Sequence, residues 1–600
     1  MQARSARSVP HRYFQRACFL LALLATSLFL GSCGEPGPKL VVLLVVDTLR
    51  ADRLGCYGYE EIETPNIDRI AAEGVLYDNA MTTVPVTLPA MSSIFTGTYP
   101  PQHGVRDNGS YELSSSWTTL AETLKARGFS TGAFVSAAVL DPVHNLSQGF
   151  DVYDADVSMY YQPYSPLLAP IDDEIQGIER RAEVTVDRAL EWLRTQDGND
   201  AFLVVHLFDP HLPRDPPPPF RERYAEREYE AEIAYADQEL GRLLESIDEL
   251  RDLDDALIVF LADHGEGLGE HGETLHGDLL HEATTRVPLI VRGPGLPKGR
   301  RVSGVVRTVD VYPTVCAYLA LPTPDAIVGS PLPELGLEPV GPPTTSARFR
   351  TTAYLETFRP RLTHGWCELR GLRTDRWKLI DGPRYELYDL DADRAELVDL
   401  ADREPAVRDS LAKLLDRVAL LAAHQGASTA GEVEIDDEMA EKLLSLGYVT
   451  PRGRRISSET GGERSLQSEK KGYLSATSVA MSPESLAVWL YAPEERGRAL
   501  GLPHPAERVQ AAQDRIVARS FYTSAVGLLE AGNAQEAAAR FRIAFEKSPQ
   551  FTDAYLGFVD AALRAGHREA AVECLKLAQK ELASDERIAT RLEGLLDGSE

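Results

Sequence analysis

The sequence predicts an α/β protein: a doubly wound, mostly parallel sheet, a small C-terminal α+β subdomain and an all-α tail of helical repeats. Continuous apolar runs at Lys39 to Val46, Phe202 to Phe208, Ala256 to Ala262 and Val287 to Val291 read as strands buried on both faces. Amphipathic patterns such as Ile233, Leu240, Leu243, Leu244 and Ile247 lie between them. Strands alternating with such helices specify a doubly wound sheet, whose chemistry gathers at the carboxyl ends of its strands. Near the C-terminus, Leu529, Ala531, Gly532, Ala537, Ile543 and Ala544 recur with a period of 34 as Leu563, Ala565, Gly566, Ala571, Leu577 and Ala578. A repeat of this length is the mark of stacked helical hairpins.

Taken in order, residues 1–32 carry Arg4, Arg7, Arg12 and Arg16, then an apolar run from Phe19 to Leu30, then Gly31-Ser32-Cys33. The run is too short for a comfortable membrane span and reads as the core of a signal peptide. Small residues before a cysteine resemble the lipobox of bacterial lipoproteins. That resemblance implies a lipidated Cys33 and an extracytoplasmic protein tethered to a bacterial membrane, in the periplasm or at the cell surface. After a Gly/Pro spacer the catalytic unit spans 39–340. Composition loosens around Gly341-Pro342-Pro343, and residues 341–450 form the subdomain, with strands at Trp377 to Ile380 and Tyr385 to Leu390. A helix from about Asp436 to Leu446, stopped by Gly447, closes it. Residues 451–472 are poor in apolar side chains and read as a flexible linker. In residues 473–600, the spacing of small residues resembles tetratricopeptide repeats, which implies a protein or peptide partner. A plain helical bundle is the alternative.

Lys+Arg 62 against Asp+Glu 91 leave a net charge of −29, more acidic still once residues 1–32 are removed. Such a chain has no global field to collect nucleic acid, so an anionic substrate must be met by a local cluster of cations or by a metal. Six cysteines without a CxxC exclude a disulfide framework and a thiolate zinc knuckle. Cys56, Cys316, Cys367 and Cys574 read as buried thiols.

The first three apolar runs end at Asp47, at Asp209-Pro210-His211 and at Asp263-His264. In an open α/β sheet those ends converge on one crevice. Asp47, Asp263 and His264 can hold one divalent cation, Ca, Mg, Mn or Zn, and leave a position for a nucleophile oxygen and an ester oxygen. Thr87 suits the nucleophile: Pro89 fits the first turn of a helix, Leu88, Met91 and Phe95 supply its apolar face, and the metal would lower the hydroxyl's pKa. His211 and His276 are candidate donors to the ester oxygens or to the leaving group. Asp209 and His211, with His276 or His281, could build a second metal site, the less favoured arrangement. Taken singly, Asp47 could equally cap a helix, Thr87 could be an N-cap and the histidines could be surface residues; together they favour a site.

These residues fall in an ordered series. Asp47-Thr48-Leu49-Arg50 with Gly55-Cys56-Tyr57-Gly58 is followed by Thr64-Pro65-Asn66-Ile67-Asp68, Thr87-Leu88-Pro89-Ala90, His103-Gly104-Val105 and Asp209-Pro210-His211. Asp263-His264-Gly265-Glu266, Gly269-Glu270-His271-Gly272 and Arg286-Val287-Pro288-Leu289 complete it. The series resembles the sulfatase family of the alkaline phosphatase superfamily over roughly residues 39–450. The resemblance implies a metal-dependent ester hydrolase acting on an anionic ester. The sequence departs from the family at several points. The family's Cys/Ser-x-Pro-x-Arg segment, whose first residue becomes formylglycine, is here Thr87-Leu88-Pro89-Ala90-Met91. Thr48 replaces the second aspartate, His276 stands where a lysine is expected, and Val135-Ser136-Ala137-Ala138 replaces Gly-Lys-Trp-His. The anion cradle thereby loses fixed positive charge. A threonine ester must be cleaved by water attack at sulfur or phosphorus, so sulfuric, phosphate and phosphonate esters all stay open. A membrane-tethered transferase of phosphoryl-linked headgroups and an inactive scaffold with a protein-binding tail are the alternatives.

Overall fold

The computed structural model describes residues 39–425, 431–432 and 504–597, apart from 110, 158–179, 213, 342–349, 531 and 583–584. The expected signal peptide with Cys33, the helix at 436–446 and the linker at 451–472 lie outside the described residues. Among the described residues no helix is long and apolar enough to cross a membrane.

The strands in chain order are β1 (Leu40–Val46), β2 (Val75–Met81), β3 (Tyr111–Glu112), β4 (Ser130–Val135) and β5 (Val152–Asp154). They continue with β6 (Ala201–Leu207), β7 (Ala256–Leu261), β8 (Arg286–Val287), β9 (Leu289–Arg292) and β10 (Arg300–Arg307). The main sheet runs β10, β2, β9, β7, β1, β6, β4, β5, with β8 also on β2. The central strand β1 is parallel to both neighbours, with Val45 opposite His206 on β6 and Leu261 on β7. All seven of its residues are buried, which is why its sequence is continuously apolar rather than alternating. The expected strand at Val287 to Val291 is instead two short ones, β8 and β9, and β9 lies antiparallel between β2 and β7. Pro288 separates them, since proline has no N–H for the ladder.

The helices that position the site are α1 (Pro65–Ala72), α2 (Thr87–Thr96), α3 (Ala182–Arg194), α4 (Glu228–Arg251) and α5 (Val311–Tyr318). Ile233, Leu240, Leu243, Leu244 and Ile247 form the buried stripe of α4, as their spacing predicts. A second, antiparallel sheet follows, β11 (Thr352–Thr357), β12 (Leu369–Thr374), β13 (Trp377–Asp381) and β14 (Tyr385–Asp389), backed by α6 (Pro405–Gln425). The short strand β15 (Gly431–Glu432) pairs with β3.

The tail consists of α7 (Val509–Glu530), α8 (Ala534–Lys547), α9 (Thr552–Arg564), α10 (Arg568–Glu581) and α11 (Glu586–Asp597). The period of 34 is visible in the backbone. α8 and α10 begin at 534 and 568, each after a left-handed glycine, Gly532 at φ 83° and Gly566 at φ 80°. The repeated alanines, Ala537 and Ala544 against Ala571 and Ala578, are buried where neighbouring helices approach closely. The tail does not stand apart. Val509 and Ala512 pack with Met81, Leu279, Leu280 and Leu369, and His504 Nε2 lies 2.9 Å from Glu386 Oε1 on β14.

This junction is charged and buried. Burial opposes ionisation of Glu386, but the contact with His504 and the nearby His281 outweigh it and hold the carboxyl at about 2. Against the same burial penalty, Lys378 and His281 hold Glu396 at about 2. Both folded-state values lie below the ~4.3 of an unfolded glutamate. Their contribution to stability is therefore complete above that value and is lost as pH falls through the folded-state value. Melting temperature followed by circular dichroism should drop steeply between about pH 4.3 and 2, and Glu386→Gln should flatten that limb while lowering the melting temperature at pH 6. An unaltered acid limb would refute the assignment.

Candidate active site

The parallel register places the carboxyl ends of β7, β1 and β6 side by side. Asp47 follows β1 directly, and its amide donates to the Leu207 carbonyl on β6 (2.8 Å). Thr48 takes the left-handed conformation (φ 56°) and turns the chain off the sheet, its carbonyl accepting from the Tyr229 hydroxyl on α4 (2.7 Å). Asp263 lies just beyond β7, where its Oδ1 accepts from the His264 amide (2.8 Å). His264 Nδ1 donates to the Gly265 carbonyl (2.9 Å), so in the neutral ring Nε2 is the acceptor. That nitrogen lies 3.6 Å from Asp47 Oδ1, 3.5 Å from Asp263 Oδ2 and 3.2 Å from Thr87 Oγ1. The four residues singled out for metal binding and nucleophilic attack thus meet in one buried place.

Thr87 opens α2, with Pro89 in the first turn. No side chain caps this helix end, but the Leu88 amide donates to Asn108 Oδ1 (2.7 Å). Asn108 Nδ2 has no hydrogen-bond partner among the described residues, so this buried side chain keeps a donor beside Thr87. Sequence reasoning missed Asn108, which sits on a loop, and it also missed His206. His206 is on β6, its Nε2 3.7 Å from Asp47 Oδ2. A titratable ring inside a doubly buried strand was the available signal.

The charges at this point do not balance. Both oxygens of Asp47, Oδ2 of Asp263 and both ring nitrogens of His206 lack hydrogen-bond partners among the described residues. Burial, then the charges of Asp263 and Glu266, push the Asp47 carboxyl well above its usual range. Burial pushes His206 down to about 4. Two adjoining buried carboxylates without a counter-ion are unfavourable, and oxygen and imidazole donors suit a divalent cation. Ligand atoms of Asp47, His206 and Asp263 lie within 4.8 Å of one another, and His264 Nε2 faces the same two carboxylates. The residues therefore fit one metal ion.

His271, His281 and Glu396 form another such group. There, however, Lys378 Nζ already stands 3.1 Å from Glu396 Oε1 and satisfies its charge. Asp209 Oδ1 accepts from the Ala182 amide at the start of α3 (3.1 Å), and His281 faces Glu396 and Glu386. Of the residues considered from the sequence for a second metal site, His281 is thus engaged with these glutamates, whereas Asp209 keeps an unpartnered Oδ2 among the described residues.

His276 and His211 do reach the crevice. The His276 ring lies 4.3 Å from that of His264 and 5.1 Å from that of His211, and its Nδ1 is 2.9 Å from Glu266 Oε1. His211 stacks on Phe208 at 4.2 Å. Burial holds both histidines well below their usual pKa; for His211 the charge of His276 adds to it, and for His276 that of His264. The surroundings are less poor in cations than the motif departures suggest. Arg214 pairs with Glu266 (3.2 Å), Arg50 donates to the Glu266 carbonyl (3.2 Å), and Arg359 donates to the His276 carbonyl. Arg214 and Arg359 lie outside the quoted motifs, and Arg50, although within one, was not singled out as a site residue. At the end of β4, Ser136 donates to the His206 carbonyl (2.6 Å), so the divergent Val135 to Ala138 segment braces the site from below.

Residues 39–320 match the sulfatase family, residues 269–423 the C-terminal region of N-sulphoglucosamine sulphohydrolase, and residues 528–593 the tetratricopeptide repeat. The chain is 24% identical to an N-acetylglucosamine-6-O-sulfatase of Bacteroides thetaiotaomicron, over 66% of this chain and 91% of that protein. It is 25% identical to bovine arylsulfatase K over 62% of this chain and 80% of that protein. The fold matches a structure determined in complex with its substrate D-glucosamine-2-N,6-O-disulfate, with TM-score 0.55 and 21% identity over 65% of this chain and 98% of that one. It also matches the phosphonate monoester hydrolase of Agrobacterium radiobacter, with TM-score 0.53 and 22% identity over 64% of this chain and 96% of that one.

The charge imbalance predicts a linkage between metal and stability. Saturating a divalent cation at 100 to 1,000 times its dissociation constant should stabilise the folded protein by about 3 to 4 kcal/mol relative to chelated protein. Asp47→Asn should abolish most of that gain and should melt higher than wild type when both are chelated, because the carboxylate repulsion is gone. Thermal melts with and without chelator check both points, and a wild-type melt indifferent to every divalent cation would rule the site out.

Proposed function

Because residues 39–320 match the sulfatase family of hydrolases and residues 269–423 the C-terminal region of a sulphohydrolase, we propose that this chain cleaves sulfuric esters or related phosphate or phosphonate esters, with Thr87 as nucleophile. The observation that carries the reading is the meeting of Thr87 Oγ1 and His264 Nε2 at 3.2 Å, at the start of a helix and beside the unpartnered oxygens of Asp47 and Asp263. Asp47, Asp263 and His264, with His206 alongside, would hold a divalent cation. Such a cation supplies a lowered hydroxyl pKa and charge neutralisation for the ester oxygens.

The remaining roles fall to the chain's own residues. The first turn of α2 places the Thr87 hydroxyl beside His264 Nε2. The hydroxyl passes its proton to the neutral ring of His276 or His211, and Thr87 Oγ1 bonds to sulfur or phosphorus as the bond to the alcohol oxygen breaks. That oxygen leaves as the alcohol, taking the same proton back from His276, whose ring lies beside that of His264, or from His211 next to it. Amides at the start of α2 and the Asn108 Nδ2 donor stabilise charge on the non-bridging oxygens. Water then attacks the Thr87 adduct, which releases the oxoanion and restores the hydroxyl. Glu266 and Arg359 hold His276, by its ring and by its carbonyl. The likeness to sulfatases that act on sulfated sugars supports a sugar ester as the substrate.

The tetratricopeptide tail supports a protein partner, and the composition of residues 1–33 supports a lipid tether at Cys33 on the extracytoplasmic side of a bacterial membrane. Cys33→Ala should move the protein from the membrane fraction to the soluble fraction, and unchanged fractionation would refute the tether.

A panel of aryl sulfate, phosphate, phosphodiester and phosphonate substrates, each assayed with Ca, Mg, Mn and Zn, tests the activity. Thr87→Ala and Asp263→Ala should each lower turnover by at least about 1,000-fold, as loss of a nucleophile or of the group that activates it does. Full activity in Thr87→Ala would overturn the nucleophile, and no turnover of any substrate would leave the inactive scaffold as the better reading.

A further inference from the structure

Building on the roles given to Thr87 and His276, we propose that the helical tail completes the active site, with Gln513 of α7 as a positioning residue for the loop that carries His276. Gln513 is wholly buried although its helix belongs to the tail. Its amide oxygen accepts from the backbone N–H of Thr274 (2.6 Å) and of Leu275 (2.8 Å), and from the Thr274 hydroxyl (3.2 Å). Its amide nitrogen donates to Asp278 Oδ2 (2.9 Å). One side chain therefore ties down both flanks of His276, two residues before it and two residues after it.

The pairing demands a carboxamide. An acceptor must meet two backbone donors while a donor meets a carboxylate, and among side chains of this length only glutamine offers both at its tip. Glutamate would place a second negative charge against Asp278, and an aliphatic residue would leave buried amides unpaired. The catalytic unit holds the loop from the other side. Glu273 Oε1 accepts from the Asp278 and Leu279 amides (2.9 and 3.0 Å), Thr357 at the end of β11 donates to the Gly277 carbonyl, and Arg359 donates to the His276 carbonyl. Gly277 is left-handed at φ 94°, and a Cβ there would lie 2.8 Å from Arg359 Cδ, so the close approach of Arg359 to the loop needs a glycine at this position. Apolar packing of Val509 and Ala512 on Leu279 and Leu280 seats the helix that carries Gln513.

The consequence concerns chemistry. His276 lies 4.3 Å ring to ring from His264, and a shift of about 1 Å in a reacting group costs on the order of 100-fold in rate. Whatever lifts α7 from this loop, a partner engaging the repeats included, would displace the proton donor without touching Thr87 or the carboxylates.

Gln513→Ala and Gln513→Glu in the full chain test the inference by two measurements. In hydrogen exchange, Gln513→Ala should speed exchange of residues 274–279 and leave α8 to α11 protected. Unchanged exchange there would overturn the brace, whether or not the protein turns over any ester. In kinetics, kcat should fall about 10- to 100-fold, as loss of an outer partner does, with KM changed less. The loss should be larger for a phenyl ester than for its p-nitrophenyl counterpart, because only the poorer leaving group needs the proton. An equal loss for both esters, or none, would overturn the positioning role. Gln513→Glu keeps the acceptor and should speed exchange only on the Asp278 side, which decides the matter if the alanine variant does not fold. Absence of any wild-type turnover would count against Thr87, while the exchange data would still judge the brace.

Discussion

Two carboxylates, Asp47 and Asp263, are forced together at the end of a strand pair that is buried on both faces. The pair is unfavourable by itself, since neither acid is exposed and the carboxylate of Asp47 finds no hydrogen-bond partner among the described residues. In the proposed reading a cation joins them and becomes the pivot of the crevice. The strand register brings the acids together, His264 and His206 close around them, and the first turn of α2 delivers Thr87 to the same point. On that proposal, burial that would be a liability in a core becomes the means by which an acidic protein would present a positive centre to an anionic ester.

The segment from His264 to Glu282 is where the rest of the molecule meets that centre. Its first residue faces the two carboxylates, its middle carries Glu266 and His276, and its end packs against the second sheet through Glu282, Glu396 and Lys378. Gln513 and Val509 of the tail close on the same stretch. Three parts of the chain therefore share one loop, and the antiparallel subdomain and helical tail support the catalytic crevice as much as they extend the protein. The ion pairs of this junction are buried and strong, which ties its integrity to the ionisation of Glu386 and Glu396.

Much of the architecture is legible in residue order. A strand buried on both faces must be apolar throughout, so β1, β6 and β7 announce themselves, and the polar residues that end them announce the crevice. The apolar stripe of α4 and the 34-residue echo of the tail are equally local signals. Pro288 misled the reading of the run from Val287 to Val291, because apolar composition does not record a missing N–H or the direction of a strand. Asn108, Arg50, Arg214 and Arg359 were not legible as site residues, since the first three lie on loops or turns, Arg359 opens a short helix, and the placement of all four depends on distant packing. His281 illustrates the converse: a histidine near the motif that the fold turns toward Glu396 and away from the crevice.

The sequence alone determined the fold class and singled out Asp47, Thr87, Asp263 and His264, which the structure brings together, because periodicity and strand-end chemistry are properties of neighbours along the chain. Tertiary structure alone decided which of the remaining groups stand around them. The unpartnered Asn108 donor beside Thr87, the His206 ring under Asp47, the arginines around Glu266 and the grip of Gln513 on the His276 loop join residues as many as 239 positions apart. Contacts at such separations follow from how helices and sheets pack, and no local pattern encodes them.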